Sequence, residues 1–168
     1  KSFQQDHGVD AITATTHGGS GVLLAEGLCL AAPIMDYEFE GPETAAEEYE
    51  KIRPPFQETG SPRLSGGLNF GAQIHWLFSQ FPDVAERTQT IVTYPQYWTA
   101  RLTGILSTEV TSLACHTDLW SPAKGHLSSM VSSQGWAKLF APLRKADEML
   151  GPLLAEIAHE TGIDESTP

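Results

Sequence analysis

The spacing of apolar residues changes along this chain, and each change marks a different predicted element. Residues 10–16 (DAITATT) place Ala11, Thr13 and Thr15 opposite Ile12, Ala14 and Thr16, between Gly8 and Gly18. Alternation with β-branched side chains predicts a strand. Residues 21–26 (GVLLAE) predict a second strand, and the glycine-rich turn between the two is tight enough for antiparallel pairing. Residues 28–35 predict a third. Strands ahead of helices are the usual opening of an α/β or α+β lobe, and α/β is the class expected here.

The period then lengthens. From 41 to 67 the chain is rich in Glu, Pro and Gly, which predicts a surface excursion with a short helix over 44–51. Asn69 is placed to cap a helix whose apolar side, Phe70, Ile74, Leu77, Phe78 and Phe81, recurs at helical spacing until Pro82 stops it. Residues 90–93 predict a brief strand. Pro95 suits a first helical turn, and the helix continues through 96–102 to a stop at Gly104. A last helix is predicted over 145–159, with Leu150, Leu153, Leu154 and Ile157 on one stripe and Gly162 as terminator. Residues 1–8 read as the tail of a helix and 164–168 as a linker, so the chain is expected to be a piece of a longer protein.

Charge narrows the function. The formal net charge of −11, without a Lys/Arg cluster interleaved with aromatics, argues against a nucleic-acid partner. The lack of a long apolar run argues against a membrane partner. Cys29 and Cys115 fit no metal-binding spacing and are expected to be reduced core thiols of a cytoplasmic protein. His7, His75, His126 and His159 are scattered without metal-ligand spacing, and no metal site is expected.

The segment with the most chemical content is Thr15-Thr16-His17-Gly18-Gly19-Ser20-Gly21. A strand that ends in histidine and glycines sets an imidazole, which can both donate and accept, beside approachable backbone amides. Such a place can hold hydroxyl groups; equally, it can be a glycine hairpin whose histidine closes a turn. The oxyanion loop of an α/β-hydrolase looks similar, but that fold also needs a G-x-S-x-G elbow, and no serine here has one. Neither phosphate-cradling glycine motif, G-x-x-x-x-G-K-[ST] or G-x-G-x-x-G, is present.

Two further segments complete a family pattern: Tyr97-Trp98-Thr99-Ala100-Arg101-Leu102-Thr103-Gly104, and Ser107-Thr108-Glu109-Val110-Thr111-Ser112 leading to Cys115-His116-Thr117-Asp118-Leu119-Trp120. Taken with 15–18 and with the helix that runs from Gln73 to Pro82, they resemble, in order and spacing, the amino-terminal lobe of FGGY-family carbohydrate kinases. The resemblance covers residues 9–163. It implies an actin-like, ribonuclease-H-like ATPase fold whose two lobes close around ATP and a sugar, with 1–168 forming part of the first lobe. It also implies that the D-x-G-(T/S) turn meeting the ATP phosphates, the catalytic aspartate and the second lobe lie outside this chain, so the isolated piece should be inactive and should bind neither ATP nor Mg2+. In xylulose-acting members the strand ends in Gln-Met-His-Gly, whereas here it ends in Thr-Thr-His-Gly; the C-H-T-D-L-W segment is closer to the rhamnulose and fuculose kinases.

Within that resemblance the candidate sugar-binding residues are His17, Gly18, Gly19, Asp36, Tyr37, Ser112 and His116. Asp36 would accept hydrogen bonds from vicinal hydroxyls. The expected partners are the sugar, the remainder of the kinase chain and, through sheet edges left unpaired, a second copy in a homo-oligomer. The competing reading is a non-catalytic sugar-binding or assembly domain descended from a kinase.

Overall fold

Val22, Leu23 and Leu24 lie opposite Val92, Ile91 and Thr90 in an antiparallel ladder that joins β1 (Gly21–Leu24) to β2 (Thr90–Thr93). The computed structural model describes residues 8–168. Both faces of this ladder are covered: Leu23 and Ile91 join the main core, while Val22, Leu24 and Val92 form a second cluster with Leu28, Ile34, Tyr94, Tyr97 and Leu106. A strand buried on both sides needs a continuous apolar run rather than alternation, which is what GVLL supplies.

The helices follow in chain order as α1 (Ala46–Ile52), α2 (Phe56–Thr59), α3 (Phe70–Gln80), α4 (Pro82–Arg87), α5 (Tyr94–Thr103), α6 (Val110–Leu113), α7 (Ser129–Ser133) and α8 (Ala155–Thr161). Two short ladders complete the chain: β3 (Thr108–Glu109) runs parallel to β6 (Leu143–Arg144), and β4 (Trp120–Ser121) pairs antiparallel with β5 (His126–Leu127). The organising helix is α3. Its Phe70, Ile74 and Leu77 are buried in one cluster with Leu23, Ile91, Leu113, Leu119, Met130 and Trp136. Pro82 ends α3 and opens α4, where its missing N–H costs nothing. Gly104, with φ +75°, closes α5, and Gly162, with φ +74°, closes α8.

Several expectations are corrected. Residues 10–16 keep an alternation of exposed and half-buried side chains, but they form no ladder among the described residues, and β1 takes β2 as its partner instead. The 10–16 stretch instead meets the chain's end, where Ile12 N–H donates to the Pro168 carbonyl at 2.8 Å. Residues 28–35 are not a strand; a 3-10 turn at Glu26–Leu28 turns the chain, and one isolated bridge, Leu24 to Leu30, remains. The excursion at 41–67 is not wholly superficial, because Tyr49, Thr59 and Ser61 are buried. The helix predicted over 145–159 shrinks to α8, since Pro152 cannot donate within a helix and disfavours helical geometry at the residue before it. Cys29 and Cys115 are both free, but they are exposed rather than core. The helix tail expected before Gly8 falls on residues outside those described. No helix among the described residues is long and apolar enough to cross a membrane.

Candidate sugar-binding wall

Because β1 is anchored in the core, the glycine turn before it has a fixed exit, and His17 is held at its start. The His17 ring lies 4.9 Å from the Tyr37 ring, edge to face, and 5.5 Å from the Tyr94 ring. Tyr94 itself stacks with Tyr97 at 6.4 Å and packs near Trp98. His17 is nonetheless exposed. An imidazole oriented by two aromatic neighbours and open to solvent can offer a hydrogen bond to a hydroxylated ligand without a large loss of side-chain freedom.

The glycines matter for packing. A Cβ on Gly18 would lie 2.8 Å from Cys115 Sγ, and one on Gly19 would lie 3.0 Å from Tyr37 Cβ. The turn therefore touches both the Tyr37 segment and the loop that carries His116. That loop is unusual: His116 and Asp118 adopt φ of +56° and +64°, a left-handed conformation that non-glycine residues seldom hold. The structure thus brings His17, Gly18, Gly19, Tyr37 and the His116 loop together. Asp36 adjoins Tyr37 but is exposed, and its carboxylate accepts the N–H of Glu38 at 2.9 Å.

Ser112 sits in a neighbouring cleft of about 410 Å3, whose walls include Thr16, Gln96, Thr99, Thr111 and Arg144. There Glu109 caps α6, accepting from Thr111 N–H at 2.7 Å, Thr111 O–H at 2.6 Å and Ser112 N–H at 2.9 Å. Burial pushes the Glu109 carboxyl upward, but these hydrogen bonds together outweigh it and hold the pKa below the ordinary value of 4.5. Since the folded pKa is depressed, the stabilisation is complete above the unfolded value and is lost as pH falls through the folded one. Glu109→Ala should cost about 1 kcal/mol at pH 7. Urea titrations of both proteins should converge as the pH is lowered below 4.5, and a gap that persists unchanged into acid would show that the cap is not electrostatic.

Beneath the wall lies a charge that the sequence did not single out. Asp118 is fully buried and accepts from Tyr49 O–H at 2.8 Å and Arg53 Nε at 3.1 Å. Arg53 also donates to the Ser61 carbonyl at 2.6 Å. Burial raises the Asp118 carboxyl above its ordinary range despite the opposing pull of Arg53 and Tyr49. Burial, reinforced by the Asp118 charge, pushes the Tyr49 phenol far above its own range. Burial also lowers the pKa of His75, whose ring lies 5.8 Å from that of Tyr49. The sequence signal for this group is weak, since Arg53 and Asp118 stand 65 positions apart with helices α2 to α6 between them. Tyr94 was equally hidden, because an aromatic at a helix start reads as packing. Among the described residues no group of three or more His, Cys, Asp or Glu side chains is placed to hold a metal ion.

No family model and no curated protein matches the chain. Solved structures do. A carbohydrate kinase from Novosphingobium aromaticivorans is 43% identical, with a TM-score of 0.91 over 99% of this chain and 36% of that one. A xylulose kinase from Lactobacillus acidophilus is 17% identical, with a TM-score of 0.84 over 99% of this chain and 35% of that one. A glycerol kinase from Plasmodium falciparum, solved with ADP, is 15% identical, with a TM-score of 0.72 over 95% and 33%. The chain spans about a third of the length of the structures it matches.

Proposed function

We propose, for a chain whose structural neighbours are carbohydrate kinases as the FGGY resemblance implies, that the whole protein phosphorylates a sugar hydroxyl and that these residues supply one wall of the sugar site. The observation that carries this reading is His17, held between Tyr37 and Tyr94 at the mouth of a glycine turn, in a chain 43% identical to a carbohydrate kinase. When bound, ATP with Mg2+ supplies the phosphoryl group; the residues that would hold them are proposed to lie in the rest of the protein, and the isolated chain to be inactive. We also propose that the protein is cytoplasmic.

The work assigned to this wall is alignment. Phosphoryl transfer depends chiefly on positioning and on stabilising charge, so groups that only hold hydroxyls can control rate. His17 would bind one hydroxyl through a ring nitrogen. The Gly18 and Gly19 amides would approach the ligand closely, with Tyr37 supplying an apolar face and a phenol. His116 and, from the adjoining cleft, Ser112 would meet the further hydroxyls, and Asp36 would take an exposed one.

The test is His17→Ala in the whole protein, with xylulose, rhamnulose, fuculose and glycerol as candidate acceptors. Sugar kcat/KM should fall by about 0.5–1.5 kcal/mol, with ATP binding and the melting temperature little changed. An unchanged sugar kcat/KM with a much lower melting temperature would make His17 a structural turn residue. Sugar binding without turnover of any acceptor would favour a binding domain descended from a kinase.

A further inference from the structure

Two carboxamides on the first turns of α3 make hydrogen bonds that neither helix formation nor core packing requires. Asn69 and Gln73 are both fully buried, among Phe70, Ala72 and Ile74. Gln73 Nε2 donates to the Gly19 carbonyl at 2.6 Å and also to the Gly67 carbonyl. Asn69 Nδ2 donates to the His116 carbonyl at 2.9 Å and to the Pro62 carbonyl at 3.1 Å, while its Oδ1 accepts from Leu64 N–H at 2.8 Å. Each amide thus ties one loop of the proposed sugar wall to the 61–68 loop, with α3 as the fixed point.

We infer that Asn69 and Gln73 are positioning residues for the sugar, a role that rests on the reading of the wall given above. The choice of partners argues for it. Asn69 occupies the position from which an asparagine ordinarily caps its helix, yet its side chain makes no cap bond to α3 and reaches the His116 loop instead. Gln73 reaches back to the turn after His17 although this leaves its own Oε1 buried without a partner. The loops they hold need fixing: His116 keeps a left-handed φ of +56°, and the Gly18–Gly19 turn has no side chains of its own to anchor it. A helix packed into the core is a stiffer reference for ligand geometry than either loop alone.

The experiment compares Gln73→Met, Asn69→Asp and His17→Ala in the whole protein, with the acceptor identified in the screen and well below each variant's melting midpoint. Methionine keeps the length of Gln73 without its donor, and aspartate keeps the Asn69 acceptor while losing both donated bonds. Sugar KM should rise about ten-fold in each amide variant, the loss of roughly one hydrogen bond's worth of alignment, while ATP KM moves less than about two-fold. If His17→Ala raises sugar KM and neither amide variant does, this inference fails and the sugar wall stands. If His17→Ala leaves sugar KM unchanged as well, the wall is misplaced and both readings fall. Should Gln73→Met not fold, Asn69→Asp decides; failure of both to fold would assign the amides to folding alone and overturn the proposal.

Discussion

Replacing Asp118 with alanine is expected to destabilise the protein by about 3–5 kcal/mol, because it strands a buried cation rather than merely removing a contact. Arg53, whose side chain is 8% exposed, would keep its bond to the Ser61 carbonyl and a long 3.9 Å pairing with the exposed Glu50, but lose its close, buried carboxylate partner. The Tyr49 hydroxyl, also buried, would lose its acceptor. Alanine further inherits a φ of +64°, where Asp and Asn are among the few non-glycine residues tolerated. Asp118→Asn should therefore be milder, since it retains both the backbone fit and an oxygen facing Tyr49. The pH behaviour separates this carboxyl from Glu109. With its folded pKa raised, Asp118 binds a proton more readily folded than unfolded, so its own contribution weakens as pH rises through that value and is not the source of acid unfolding. Urea midpoints for the two variants are the measurement, and an Asp118→Ala loss below about 1 kcal/mol would mean that Arg53 finds another partner or escapes to water.

The parts of this molecule that could be read from sequence are those whose signals are local. The α3 stripe, the Pro82 stop, the 90–93 strand and the Gly104 and Gly162 terminators each depend on a few adjacent residues, and each was found. Strand pairing was not legible. Whether β1 joins 10–16 or 90–93 depends on which partner covers both of its faces, and that is decided across a long sequence separation. The helix expected over 145–159 is confined to Ala155–Thr161 because Pro152 outweighs the apolar stripe around it. In the candidate wall, His17 and its glycines carried a recognisable pattern, while Tyr94, Asn69 and Gln73 did not, since a helix start with an aromatic or amide looks the same whether it faces water, core or ligand. Gln73 did leave one trace: a carboxamide amid Phe70, Ile74 and Leu77 on an apolar stripe must be buried with partners or be expensive.

Gly21→Ala should reverse the usual sign of a glycine replacement within a strand. Gly21 has no left-handed φ, and it sits in register with Thr93, so alanine fits the backbone and by propensity alone would stabilise β1 by about 0.5–1 kcal/mol. Space decides against it. The added methyl would lie 1.9 Å from Phe70 Cζ and 2.2 Å from Cε1, and Phe70 is itself 1% exposed at the head of α3, so any retreat of the ring must displace other core side chains. Overpacking of this kind costs about 1–3 kcal/mol or more, which outweighs the entropic gain. The clash also identifies its own remedy: Phe70→Leu alone should destabilise by leaving a void, but combined with Gly21→Ala it should recover part of the loss, a coupling expected for two residues that compete for one volume. Thermal melts of the two single variants and the double variant give the answer. Strictly additive losses would show that β1 and α3 do not meet at this ring, and a stabilised Gly21→Ala would show that the ring can move aside.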